Sequence, residues 1–261
     1  MAKNTSGRGG LKYRFDAFGS NVDAVAITTL TPAQQAVRST VALKALMAVS
    51  GLILIGYLLA HMYGNLKVFA GQESFDSYAH HLRTLGEPIL PHTGLLWILR
   101  VVLLASVIAH FYAAVVLWAR ARRARGSGTR RYHSTKNKRG VQRSYASFTL
   151  RWGGVVILLF VIFHLLHFTW NTIHPGGASD SPYQRVVNGF SVWWVVVAYT
   201  AAMLAVAFHL RHGISSALTT LGANTSPVAR RRLKLLAYVF TAIITVGFLL
   251  PPYSILFGLV N

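Results

Sequence analysis

The sequence predicts an all-α, polytopic membrane protein, with five transmembrane helices gathered in a bundle. Three observations carry that class. Of 261 residues, 53% are hydrophobic and only 12% charged, whereas a soluble domain carries about 25% charged residues. The mean hydropathy is +0.45. Finally, the apolar residues fall into five long runs, each sufficient for a hydrocarbon core of about 30 Å at about 1.5 Å per residue.

In chain order, the runs free of Asp, Glu, Lys and Arg are Ala45–Leu66, Val101–Ala119, Trp152–Asn171, Val186–Leu210 and Leu235–Val260. With their flanks, the helices are expected over about 41–69, 93–119, 152–173, 187–212 and 234–260. The second is drawn back toward His92, with Arg100 facing protein or snorkelling outward. Residues 1–38 are polar and Gly-rich and read as a loose N-terminal arm, leaving 39–261 as the membrane domain. No apolar run of span length precedes Lys44, so no cleavable signal peptide is expected. Pro251 and Pro252 are expected to bend or unwind the fifth span. Trp170, Trp193, Trp194 and Tyr253 suit an interfacial aromatic belt.

Charge gives orientation. The formal net charge is +20, yet the basic residues lie between apolar runs rather than on a soluble fold, so a nucleic-acid partner is not expected. Lys and Arg in short connections mark the cytoplasmic side. The 120–151 connection holds eleven of them, and Arg211, Arg230, Arg231, Arg232 and Lys234 lie between the fourth and fifth spans. With six more on the arm and the start of span one, 22 of 26 fall on one side. The N-terminus is therefore expected in the cytoplasm and the C-terminus outside. The basic connection reads either as topology alone or also as a docking surface for a peripheral subunit or anionic lipid.

Ionisable residues within a bilayer are costly and are read as functional by default. No acid lies within a run, whereas histidine lies in four: His61, His110, His164 with His167, and His209, with His212 just beyond. A single one is accounted for by an interhelical hydrogen bond. One on each of four helices points to metal. The chain has no cysteine, which excludes iron–sulfur ligation and covalent c-type haem. A haem held by two imidazoles needs a pair of helices, so four ligands make two haems between helices one to four.

Depth orders the pairing. Counted from the nearest basic residue on the cytoplasmic side, His61, His164, His110 and His209 lie about 26, 20, 15 and 3 Å deep. Pairing His61 with His209 leaves about 23 Å between two ligands of one iron and is discarded. Pairing His61 with His164 and His110 with His209 leaves about 6 and 12 Å. This gives an outer and an inner haem. His164 and His167 project to roughly the same side of their helix, and depth alone slightly prefers His167. His80, His81 and His133 are expected in loops, and no phosphate loop, nucleophile–base pair or dinucleotide fingerprint is present.

Five segments resemble the dihaem cytochrome b membrane anchors of succinate:quinone oxidoreductases, of the single-subunit, five-helix kind. They are GYLLAHMYGNLKVF at 56–69, HHLRTLGEP at 80–88, LWILRVVLLASVIAH at 96–110, VIFHLLHFTW at 161–170 and FHLRHGISSALTTLG at 208–222. The resemblance implies axial ligation by His61 and His164 at the outer haem and by His110 and His209 at the inner one. It tips the choice to His164 over His167 and to His209 over His212, which would help place a propionate. It implies two haems b here, with FAD and iron–sulfur clusters only on partners: a flavoprotein subunit, and an iron–sulfur subunit docked on the cytoplasmic face. Electrons from succinate would pass through this anchor to menaquinone in a bacterial-type plasma membrane, within a complex open to higher oligomers. Each charge crossing the bilayer is worth about 2.3 kcal/mol per 100 mV.

Glu87, His92, Trp97 and Arg100 lie just before or at the start of span two, on the outer side. They read either as an outer quinone site, where a carboxylate handles protons, or as ordinary loop and rim residues. Three other readings of the whole chain remain. It would serve a quinol:fumarate reductase, carry electrons for another dehydrogenase, or act as a transporter whose histidines bind metal or protons. The absence of intramembrane acids counts against the last.

Overall fold

The structure, a computed structural model, describes Thr31, Ala36, residues 39–123 and residues 140–261, of which 140–149 as backbone only. The rest of the expected arm and the segment 124–139, with His133 and much of the basic connection, lie outside the described residues. The described elements are helical: α1 Thr40–Leu66, α2 Gln72–Thr84, α3 Gly94–Arg123, α4 Gly140–His164, α5 Pro182–Phe190, α6 Trp193–Thr220 and α7 Pro227–Leu256. A 3₁₀ turn, Lys67–Ala70, extends α1, and a π-helical turn, Leu165–Thr169, extends α4.

Five segments are long and apolar enough to cross a membrane: Thr40–Ala70, Gly94–Arg123, Leu150–Thr169, Trp193–Thr220 and Pro227–Leu256. The α6 segment is the central one, because 39% of its most apolar stretch is buried, against 6–17% in the other four. It packs against α4 and α7. Met203, Val206, Leu210 and Ile214 of α6 form one core with Ala237 and Ile244 of α7, and Ile55, Leu58 and Leu59 of α1 close over it. The outward faces carry Leu, Ile, Val and Phe, as lipid contact requires: a helix in a bilayer has no water from which to hide its apolar side.

Several span ends differ from the sequence reading, each for a local reason. The fourth span starts at Trp193, not near 187, because Val192 takes an extended conformation (φ −91°, ψ 111°) that separates α5 from α6. At its other end α6 runs on to Thr220, past the expected 212. Span five starts at Pro227 rather than near 234. Ser226 caps it by accepting the Ala229 N–H at 3.1 Å, and Pro227 fits the first turn. Span three ends at Thr169, where the Trp170 N–H bonds back to the Leu165 carbonyl at 2.8 Å. The two prolines do not unwind span five, and the helix continues through them to Leu256. They lie in its last two turns, and their missing N–H groups withdraw donors only from the carbonyls of Gly247 and Phe248.

At the end of the bundle where α1 and α4 finish, α2 packs against α5. Asp76 of α2 accepts the Ser181 hydroxyl at 2.6 Å and the Tyr183 N–H at 2.9 Å. Ser181 in turn caps α5 by accepting the Gln184 N–H at 3.2 Å, and the Phe75 and Tyr183 rings meet edge-on at 6.0 Å. At the opposite end, Trp118 of α3 lies between the guanidinium groups of Arg122 and Arg151, 5.0 and 5.9 Å from its ring.

Candidate functional site

Two histidine pairs meet across helices. His61 of α1 faces His164 of α4 with ring centroids 5.7 Å apart and planes at 83°. Helical spacing builds an aromatic wall around them. Tyr57 stacks on His61 one turn before it, and Phe160 and Phe168 flank His164 one turn to either side. Phe248 of α7 closes against His61 at 5.6 Å. The second pair is His110 of α3 with His209 of α6, at 6.0 Å and 61°.

The surroundings of His110 fix its tautomer. Its Nδ1 lies 3.0 Å from the carbonyl oxygen of Met47 on α1. A carbonyl only accepts, so Nδ1 carries the proton and donates it, leaving the lone pair on Nε2. Ser50 lies beside it at 3.4 Å but gives its own proton to the Leu46 carbonyl at 2.7 Å. Gly51 permits this approach, since a Cβ there would stand 3.2 Å from Cε1 of His110.

These pairs fit bis-imidazole iron. Two metal–nitrogen bonds of about 2 Å hold the coordinating nitrogens about 4 Å apart, and the ring centres then stand about 6 Å apart. Both centroid separations are compatible with that spacing, and the His110 tautomer would offer Nε2 to a metal.

His167 goes elsewhere. It is buried at 3% exposure and stacks on Phe168 at 3.9 Å. A Cβ on Gly189 would stand 2.8 Å from its Nε2. The reason is the π turn that begins at Leu165. An i→i+5 turn takes more residues per revolution, so a three-residue step falls farther short of the same face than in an α-helix. Both His164 and His167 nevertheless reach one group, the Tyr199 hydroxyl of α6, at 3.2 and 3.1 Å from their Nδ1 atoms.

The remaining expected residues form two local contacts. Glu87 and His92 pair at 3.0 Å, with side chains 40% and 59% exposed, and the Arg100 guanidinium lies 4.9 Å from the Trp97 ring. His212 is partly buried on α6, and its carbonyl accepts the Ser215 hydroxyl at 3.2 Å. Sequence reasoning missed Tyr199 and Met47. Tyr199 left one weak signal, a hydroxyl shared with its neighbour Thr200 in the middle of the fourth apolar run.

Residues 129–249, a little under half of the chain, match the family model described as succinate dehydrogenase/fumarate reductase transmembrane subunit. No curated protein and no solved structure matches the chain. The match spans α4 to most of α7 and carries two of the four paired histidines, so over that stretch the chain is similar to the transmembrane subunits of succinate dehydrogenase and fumarate reductase.

Proposed function

We propose that this chain is a dihaem cytochrome b anchor, taking electrons from an iron–sulfur subunit on the cytoplasmic face and delivering them to menaquinone, with succinate as the source. The supporting observation is the pair of cross-helix histidine contacts, at 5.7 Å between α1 and α4 and 6.0 Å between α3 and α6. In this reading His61 and His164 hold the outer haem and His110 and His209 the inner one. Bound there, the haems supply one-electron carriers between the two membrane faces. The protein's share is to hold and orient the imidazoles and to keep water out. Met47 fixes the His110 ring, and Tyr57, Phe160, Phe168 and Phe248 wall the outer pair.

The membrane domain is then residues 39–261, with the arm 1–38 and the basic 120–151 connection facing the cytoplasm. Glu87, paired with His92, is the acid or base at an outer quinone site, with Trp97 and Arg100 on its rim. Glu87→Gln then slows quinone-linked turnover while dye-linked succinate oxidation and both haem spectra stay intact. An unchanged quinone turnover removes Glu87 from the site.

The test of the whole reading is a reduced-minus-oxidised spectrum of the purified complex with a haem-to-chain ratio. Two low-spin haems b per chain are expected, and a haem-free chain would overturn the proposal. Assays of succinate oxidation and fumarate reduction on the same complex give the direction.

A further inference from the structure

We propose that Tyr199 and His167 form, with His164, a hydrogen-bonded relay that fixes which nitrogen of His164 faces iron and lowers the potential of the outer haem. The inference rests on the dihaem reading above and concerns positioning residues, since neither Tyr199 nor His167 touches the iron in it.

The Tyr199 hydroxyl lies 3.2 Å from Nδ1 of His164 and 3.1 Å from Nδ1 of His167. One hydroxyl carries one proton, so it donates to one ring and accepts from the other. A neutral imidazole that ligates through Nε2 keeps its proton on Nδ1. His164 therefore donates to the Tyr199 oxygen, Tyr199 donates to Nδ1 of His167, and the His167 proton sits on Nε2. The direction of every bond follows from which histidine ligates.

The relay is dry and held in place. Phe160 and Phe190 meet the Tyr199 ring edge-on at 4.9 and 5.0 Å. Tyr199 is 6% and His167 3% exposed. Gly189 leaves room for the His167 ring that no side chain there would leave. A hydroxyl whose own proton is engaged is a stronger acceptor. Stronger acceptance from Nδ1–H makes the ligating nitrogen a better electron donor and favours ferric iron. The inner pair has a different support, since His110 donates to the Met47 carbonyl. The effect is thus confined to one haem.

The test is an equilibrium redox titration of the haem bands in membranes holding the whole complex. In Tyr199→Phe, one haem should stay low-spin but titrate at a higher potential, so that its reduced-to-oxidised ratio at fixed ambient potential rises several-fold, while the other haem is unmoved. His167→Leu should shift the same haem in the same direction by less. His167→Gln, whose amide oxygen still accepts from Tyr199, should stay close to the unmutated complex. Unmoved potentials in Tyr199→Phe and His167→Leu overturn the relay, as does an equal shift of both haems. Where Tyr199→Phe fails to assemble, the two His167 variants carry the test: Leu shifted and Gln not supports the relay, and both alike overturns it. An unmutated complex without haem overturns the dihaem reading itself, whereas two haems with unmoved potentials overturn only the relay.

Discussion

His61 and His164 meet at 5.7 Å, and His110 and His209 at 6.0 Å, so alanine at any of the four leaves a cavity and an unpaired partner ring in an apolar site. His61→Ala and His164→Ala should each cost the outer haem or turn it high-spin, and match each other spectroscopically. His110→Ala and His209→Ala should do the same to the inner haem, while His167→Ala and His212→Ala keep two low-spin haems. Loss of the outer haem in His167→Ala with its retention in His164→Ala would reverse the ligand assignment. Two glycines of α1 give a sharper comparison. A Cβ at Gly51 stands 3.2 Å from His110, whereas nothing lies within 4 Å of one at Gly56. Gly51→Val should displace the His110 ring at a cost of about 1–3 kcal/mol and weaken the inner haem in a haem-content assay. Gly56→Ala should leave both haems in place.

Individual elements end where caps and solvated charges let them, not where the membrane does. Measured from Arg211, His209 lies about 3 Å deep and sits poorly with His110. Yet α6 continues nine residues past Arg211 to Thr220, and the Arg211 guanidinium lies 5.0 Å from the Tyr238 ring of α7. Counted alike from the helix ends Thr220 and Arg123, His209 and His110 stand about 17 and 20 Å in. Arg211 lies well inside α6 and Arg120 only three residues from the end of α3, so a count from the charges sets the two histidines farther apart than a count from the helix ends. The short helices α2 and α5 were invisible to a search for long apolar runs, since each needs the other: Asp76 holds Ser181 and the Tyr183 N–H. Asp76→Ala should leave these donors unpaired at a cost of about 1–3 kcal/mol. The check is a lower thermal denaturation midpoint in detergent, with Asp76→Asn falling between, and both haem spectra unchanged at room temperature.

For the whole molecule, the charge asymmetry makes a statement about sidedness. With 22 of 26 basic residues assigned to one face, a tag at Asn261 should react with an impermeant reagent added to intact cells, and a tag at Arg130 should not. The opposite labelling would invert both haems in the membrane. The five-helix class and the four histidine-bearing helices were legible from the sequence because hydropathy and span length are local properties of the chain. The choice between His164 and His167 was not local. It depends on how far α4 is rotated toward α1 and on the π turn that starts at Leu165, which no count of residues from a charge can supply. Nor could the sequence join Tyr199 to His164 and His167, 35 and 32 residues away. The sequence thus determined which residues are in the membrane and of what kind. Only helix packing decided which of them face one another, because side-chain meetings across a bundle are set by the rotation of each helix about its axis, and that rotation is fixed jointly by all its neighbours.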